Sequence, residues 1–306
     1  MPPLLRALRI RQWTKNLVIF AGLAFSGQAT DAATLAAALT AFAAFCAAAS
    51  AVYLINDVLD RERDRAHPEK RHRAVASGAV PVSLAIAVAL LLAAGALIAA
   101  ATLGRALTAL AGYLALQAAY SLKLKHVVLL DVFSIAAGFS LRVLAGVWAV
   151  DAWLSPWLVA CTVQLALFLA LCKRRAEAAS LGPTGAVASG GSAQRPVLDD
   201  YRGPATDMMV GVMAATLLVT YTMYTLLPAG VLAPGAAGAE HAADSRAGAP
   251  GMIWTLPFAL YGVLRYLYLV YRQDQGQRPE LIATMDPGIV ATGLGYVAVV
   301  AWVIYG

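Results

Sequence analysis

"LTAFAAFCAAASAVYLINDVLDRERDRAHPEKRHR", Leu39 to Arg73, joins two kinds of chemistry with no linker between them. As far as Ile55 the stretch is apolar enough to lie in hydrocarbon; from Asn56 it carries four oxygen-bearing ligand side chains and then a cluster of cations. A chain that sets carboxylates and arginines at the mouth of a membrane-length segment has its fold and its chemistry meeting at that boundary.

The remainder of the sequence extends the membrane reading to the whole chain. Its 306 residues are 60% hydrophobic and 13% charged, with mean hydropathy +0.70, whereas about one quarter of a soluble domain is charged. A spanning helix needs roughly 20 mainly apolar residues. Nine such segments are expected, at 13–30, 33–56, 81–102, 106–122, 127–149, 154–172, 206–229, 252–271 and 287–305. Gln28, Thr30 and Asp31 interrupt the end of the first. The basic, then apolar, N-terminus has the outline of a signal peptide, but Trp13, Lys15 and Asn16 mark a helix entering from a charged interface, so it is read as mature structure. Cys46, Cys161 and Cys172 lie in apolar segments without metal-like spacing, and packing is their expected role.

Positively charged connections stay on the cytoplasmic side. With the N-terminus inside, nineteen of the 23 lysines and arginines fall in cytoplasmic pieces; Arg105 and Arg246 fall outside, and Arg142 and Arg265 within helices. The expected location is the inner membrane, with the acidic motif facing the cytoplasm. Topology thus accounts for the net charge of +6, and without an aromatic-interleaved basic surface nucleic acid is excluded as a partner.

Continued past Ile55 at 100° per residue, the second segment brings Asp57, Asp60 and Asp64 to i, i+3 and i+7, and pairs Asn56 with Asp60 at i, i+4. Three carboxylates on one face repel one another unless a cation joins them. Hard oxygen donors without His or Cys favour Mg²⁺ or Mn²⁺, and magnesium characteristically shares its shell with phosphate oxygens. The expectation is a metal held by Asn56, Asp57, Asp60 and Asp64, with Asp57 and Asp60 the catalytic pair. The nearby cations, Lys70 and Arg73 among them, are expected to contact an anionic substrate. The bland alternative is a solvated loop with incidental ion pairs, which leaves the register of the aspartates unexplained.

The block "NDVLDRERD" resembles the aspartate-rich motif of the UbiA superfamily of intramembrane prenyltransferases, and "HPEKRHRAVASGAVP" resembles the segment that follows it there. More narrowly, "RQWTKN", "AYSLKLKH", "GFSLRVLAG", "CKRRAE" and "VLRYLYLV" are similar to the decaprenyl-phosphate phosphoribosyltransferase branch of that superfamily. One departure is informative: where prenyl diphosphate users carry a second aspartate-rich motif, this sequence reads Lys173, Arg174, Arg175 and a single acid, Glu177. A second carboxylate-bound metal is therefore not expected.

Other polar groups at helix ends are weighed the same way. Arg11 and Lys15 serve topology or a phosphate equally well. Tyr120 and Lys123 end the fourth segment, where lysines commonly snorkel, and the resemblance raises Lys123 to a ligand contact. Arg142, deep in apolar sequence, needs a polar cavity or partner. It shares a helical face with Asp131 but stands about 16 Å away by helical rise, so the two are not a direct pair. Arg265 is expected either to meet a substrate phosphate or to pair with Asp286 or Glu280.

The fold class expected is all-α: a polytopic membrane protein with nine transmembrane helices around a central, UbiA-like cavity, forming one catalytic domain over 1–306. The resemblance implies a Mg-dependent glycosyltransferase that moves phosphoribose from phosphoribosyl pyrophosphate to a polyprenyl phosphate. Lys173, Arg174 and Lys123 would cradle phosphate, Tyr120 would donate a hydrogen bond, and Glu177 would orient the cations. The alternatives are a prenyltransferase acting on an aromatic or tetrapyrrole acceptor, and a lipid or ion transporter. Neither accounts for both the acidic and the basic motif.

Overall fold

Alanine at helical spacing sets how the first long helices pack. The computed structural model describes residues 2–68, 70–179, 196–227, 251–272, 282 and 285–306, and every regular element among them is helical. Two short helices, α1 (Pro3–Ala7) and α2 (Phe20–Ser26), flank a 3-10 helix, Ile10–Ile19. Then follow α3 (Ala32–Leu59), the single turn α4 (Arg61–Arg65), α5 (Val82–Ala101), α6 (Ala106–Leu122), α7 (Leu130–Ala149) and α8 (Pro156–Ala179). The last three are α9 (Pro204–Leu226), α10 (Leu256–Arg272) and α11 (Pro287–Tyr305). On α3 the residues Ala41, Ala44, Ala48 and Ala51 are buried, as are Ala85, Ala89 and Ala96 on its neighbour α5. Small side chains let two backbones approach in a bilayer, where lipid removes the hydrophobic drive to associate.

Seven helices are long and apolar enough to cross a membrane, and α6, at 17 residues, is shorter. The chain is a multi-pass membrane protein. Eight of the nine expected segments appear as α-helices within a few residues of their expected bounds, with α8 running about two turns further, to Ala179. The exception is 13–30, which is no single α-helix: its first part is the 3-10 helix and only Phe20–Ser26 is α. Sideways contacts hold this part instead of an α ladder. Trp13 Nε1 donates to Ser50 Oγ at 3.0 Å, and Asn16 is 1% exposed between α3 and α7. Two glycines permit the approach: a Cβ on Gly146 would lie 1.9 Å from the Ile19 carbonyl oxygen, and one on Gly22 would lie 2.7 Å from the Val147 nitrogen.

Helix starts follow elementary capping. Asp31 accepts from the Thr34 N–H at 2.7 Å to begin α3, and Asp286 accepts from the Ile289 N–H at 2.9 Å to begin α11. Proline in the first turn of α9 and α11 loses no intrahelical bond. A core of Val132, Phe168, Leu171, Val210, Tyr266 and Leu269 joins α7, α8, α9 and α10. Residues 180–195, with Arg195, lie outside the described residues, as do 228–250, with His241 and Arg246, and 273–281, with Arg278 and Glu280.

Candidate active site

The acidic motif does not continue as one straight helical face. α3 ends at Leu59, Asp60 takes φ −89° and ψ 4°, and α4 begins anew at Arg61. Asp57 and Asp64 therefore turn inward, 3% and 4% exposed, whereas the Asp60 side chain is 34% exposed and meets Arg63 at 3.6 Å. Arg73 Nη1 lies between the two buried acids, 2.7 Å from Asp64 Oδ2 and 3.4 Å from Asp57 Oδ1, and Arg9 Nη2 also pairs with Asp57 Oδ1. Among the described residues no three of His, Cys, Asp or Glu stand together as a metal-ligand group. Two of the four expected ligands thus converge and already hold a cationic nitrogen, so their oxygens suit a hard cation. Asn56 Oδ1 accepts from Ser121 Oγ at 2.9 Å; it and Asp60 would have to turn to join them.

The last turn of α6 connects this cluster to a second one. Ser121 reaches Asn56, and its neighbour Tyr120 accepts from Arg174 Nη2 at 3.1 Å. Arg174, 3% exposed, also donates through Nε to Asp131 Oδ2 at 2.6 Å and through Nη1 to Glu177 Oε2. The Tyr201 hydroxyl donates to the other Asp131 oxygen and accepts from the Leu129 N–H at 2.9 Å, closing the network. Burial raises the Tyr201 hydroxyl above the usual tyrosine pKa, and the bond to Asp131 adds to this, so the group stays a protonated donor.

Several expected ligand contacts are placed otherwise. Arg174 is no open cradle, because all three of its nitrogens are taken by Asp131, Glu177 and Tyr120. Glu177 does orient it, and meets Lys173 more loosely at 3.9 Å. Lys123 is exposed at the C-terminus of α6. Arg142 donates to Asn16 Oδ1 at 2.7 Å, to the Gly138 carbonyl at 2.8 Å and to the Tyr113 hydroxyl at 3.0 Å, which makes it a buried pin for the N-terminal segment. Arg265 takes the second of its two expected roles, a two-point pair with Asp286 at 2.8 and 3.2 Å. Arg11 is exposed, Lys15 half-buried on the 3-10 helix, and Lys70 exposed on the short turn Lys70–His72. Sequence reasoning missed Arg9, Ser121, Asp131 as a partner of Arg174, and Tyr201; a lone acid in the apolar run around Asp131 was the one available signal.

Two cavities accompany these clusters. One, about 260 Å³, is lined by Arg6, Arg9, Asp57, His72 and Arg73 together with Ala7 and Ala74. The other, about 660 Å³, is apolar and lies between α2 and the α7 to α11 half of the bundle, with Trp157, Phe168, Tyr221 and Phe258 on its wall. They share no lining residue. Phe168 precedes Arg174 by six residues, about 9 Å along α8.

A basic chamber beside buried carboxylates and an apolar chamber lie within one bundle of membrane-length helices. The UbiA prenyltransferase family model matches residues 16–285, and the chain belongs to that family. Over 99% of its length it is 34% identical to the Decaprenyl-phosphate phosphoribosyltransferase of Mycolicibacterium smegmatis, covering 92% of that protein. It is 35% identical over 99% of its length to the protein of the same name from Corynebacterium glutamicum, covering 86% of it. Among solved structures, a UbiA homolog from Archaeoglobus fulgidus bound to GPP and Mg²⁺ aligns with a TM-score of 0.69 over 99% of this chain and 100% of that one. At 17% identity that likeness is one of fold.

Proposed function

We propose that the protein is a membrane pentosyltransferase that moves phosphoribose from phosphoribosyl pyrophosphate to a decaprenyl-like polyprenyl phosphate and releases pyrophosphate. The observation that carries this reading is likeness, over nearly the whole chain, to two proteins named for that transfer. The basic "CKRRAE" in place of a second acidic motif supports it over prenyl transfer. On this reading residues 1–306 form one catalytic domain in the inner membrane, with the N-terminus and the Asp57 cluster cytoplasmic, as the distribution of lysine and arginine supports.

Each chamber suits one reactant. The soluble donor carries phosphate at both ends, and Arg6, Arg9, Arg73 and His72 offer nitrogen donors to phosphate oxygens in the 260 Å³ chamber. The lipid acceptor's chain is apolar and suits the larger chamber and the surrounding bilayer. Mg²⁺ or Mn²⁺ held by Asp57 and Asp64, with Asp60 and Asn56 as further oxygen donors, would draw negative charge from the departing pyrophosphate.

The chain's own groups do the rest. Arg9 and Arg73 neutralise phosphate oxygens while the bond to the anomeric carbon lengthens and positive charge grows on the sugar. The acceptor phosphate is ionised at neutral pH, so no side chain has to remove a proton. Asp131, Glu177 and Tyr120 hold the Arg174 guanidinium in one place beside α6. Incubating the protein in lipid with ribose-labelled phosphoribosyl pyrophosphate, polyprenyl phosphate and Mg²⁺ should move label into the lipid phase. Conversion of a prenyl diphosphate and an aromatic acceptor instead, or of neither pair, would contradict the reading.

A further inference from the structure

Neutrality at Asp57 and Asp64 comes from the protein itself. Both acids are buried, and two guanidiniums from separate stretches of chain reach them: Arg9 from the N-terminal segment and Arg73 from the connection after α4. Arg9 stands 48 residues from its partner in sequence and adopts left-handed backbone, φ 52° and ψ 49°. A residue other than glycine keeps that conformation when its surroundings hold it there. They do so at several points. Ser50 Oγ donates to the Leu8 carbonyl at 2.9 Å and accepts from Trp13 Nε1 at 3.0 Å, while the Tyr53 ring lies 4.8 Å from the Arg9 guanidinium carbon. The turn is built to deliver a cation to Asp57.

We infer that Arg9 and Arg73 are an exchangeable counterion pair: they occupy Asp57 and Asp64 until a divalent cation takes the carboxylates, and then turn their donors to phosphate in the chamber they line. The inference rests on the reading above that the site takes a metal and a pyrophosphate-bearing donor, and it adds that the two bind as a linked pair. Two acids and two guanidiniums sum to zero. A divalent cation alone would leave two surplus positive charges at a buried site, and an anion alone would compete with the carboxylates for the same guanidiniums. Metal with pyrophosphate removes both conflicts. By linkage, each ligand then raises the affinity of the other by the same factor.

The test measures Mn²⁺ binding by electron paramagnetic resonance to the full-length chain in lipid nanodiscs, with and without inorganic pyrophosphate at matched free Mn²⁺. Wild type should bind Mn²⁺ weakly alone and about tenfold more tightly with pyrophosphate, within the usual range of coupling between sites. Arg9→Gln and Arg73→Gln should each bind Mn²⁺ alone more tightly than wild type while losing most of the pyrophosphate effect; Arg73→Lys, which keeps the charge, should restore the wild-type pattern. A merely structural role would weaken both affinities together. Unchanged or weaker Mn²⁺ binding in both glutamine variants overturns the inference. So does wild-type Mn²⁺ binding that pyrophosphate leaves unmoved, a result that needs no variant to fold. Wild type that labels lipid but shows no such coupling overturns the inference alone; coupling without ribose transfer keeps it and overturns the functional reading.

Discussion

Arg174 Nε donates to Asp131 Oδ2 over 2.6 Å, fastening the end of α8 to the first turn of α7 with both side chains almost fully buried. Removing Asp131 leaves Arg174 paired with Glu177 but takes the acceptor from Arg174 Nε and from the Tyr201 hydroxyl, at about 1–3 kcal/mol for each buried group left unpaired. Asp131→Ala should therefore lower the thermal midpoint of the detergent-solubilised protein by that equivalent. Glu177→Gln, at a side chain 28% exposed, should lower it less.

Arg142 is bonded to Asn16, Gly138 and Tyr113 and is 7% exposed. Arg142→Met leaves the buried Asn16 Oδ1 without its donor, at about 1–3 kcal/mol, whereas Tyr113 keeps Gln117 Nε2 at 3.1 Å and the Gly138 carbonyl keeps its bond within α7. The expected outcome is a lower melting temperature with a donor KM that follows wild type. A raised KM with unchanged melting would place Arg142 against substrate.

How far the sequence reaches is visible in these two arginines. Periodicity and hydropathy locate α3 and α5 to α11 because each is a local pattern whose length the bilayer dictates. The polar register at Asn56 to Asp64 is local as well, and it identifies the acidic cluster. The inward-facing Asp57 and Asp64 meet Arg9 and Arg73, and neither arginine is a neighbour in sequence. Asp131 illustrates the same limit: helical spacing correctly denies it to Arg142, but its partner Arg174 is 43 residues away on another helix. The 3-10 start of the chain is likewise set by Gly146 and Ser50, far along the sequence.

Asp60 is half-buried, unlike the buried Asp57 and Asp64, and pairs with Arg63 across 3.6 Å. Asp60→Asn should leave stability within about 0.5 kcal/mol, as is usual for surface substitutions. If Asp60 turns in to complete the metal shell, turnover at limiting Mg²⁺ should fall at least about tenfold, a loss seen even for outer partners of metal ligands. Activity titrated against Mg²⁺ separates the two effects, and retained turnover would remove Asp60 from the metal role.

Asp286 starts α11 and takes two bonds from Arg265, and that guanidinium holds its carboxyl below the usual aspartate range. Its folded pKa is thus depressed. The stabilisation it gives is present above the unfolded value of about 4 and is lost as pH falls through the folded value. The thermal midpoints of wild type and Asp286→Asn should differ by a constant amount at neutral pH and converge in acid.

The most direct measurement of the proposed transfer uses phosphoribosyl pyrophosphate carrying ¹⁴C in the ribose and ³²P in the β-phosphate, supplied with polyprenyl phosphate and Mg²⁺. The account predicts that ¹⁴C enters the lipid phase while ³²P remains in water as pyrophosphate, and that Asp57→Asn stops both. Appearance of ³²P in the lipid, or lipid labelling that persists in Asp57→Asn, would contradict it.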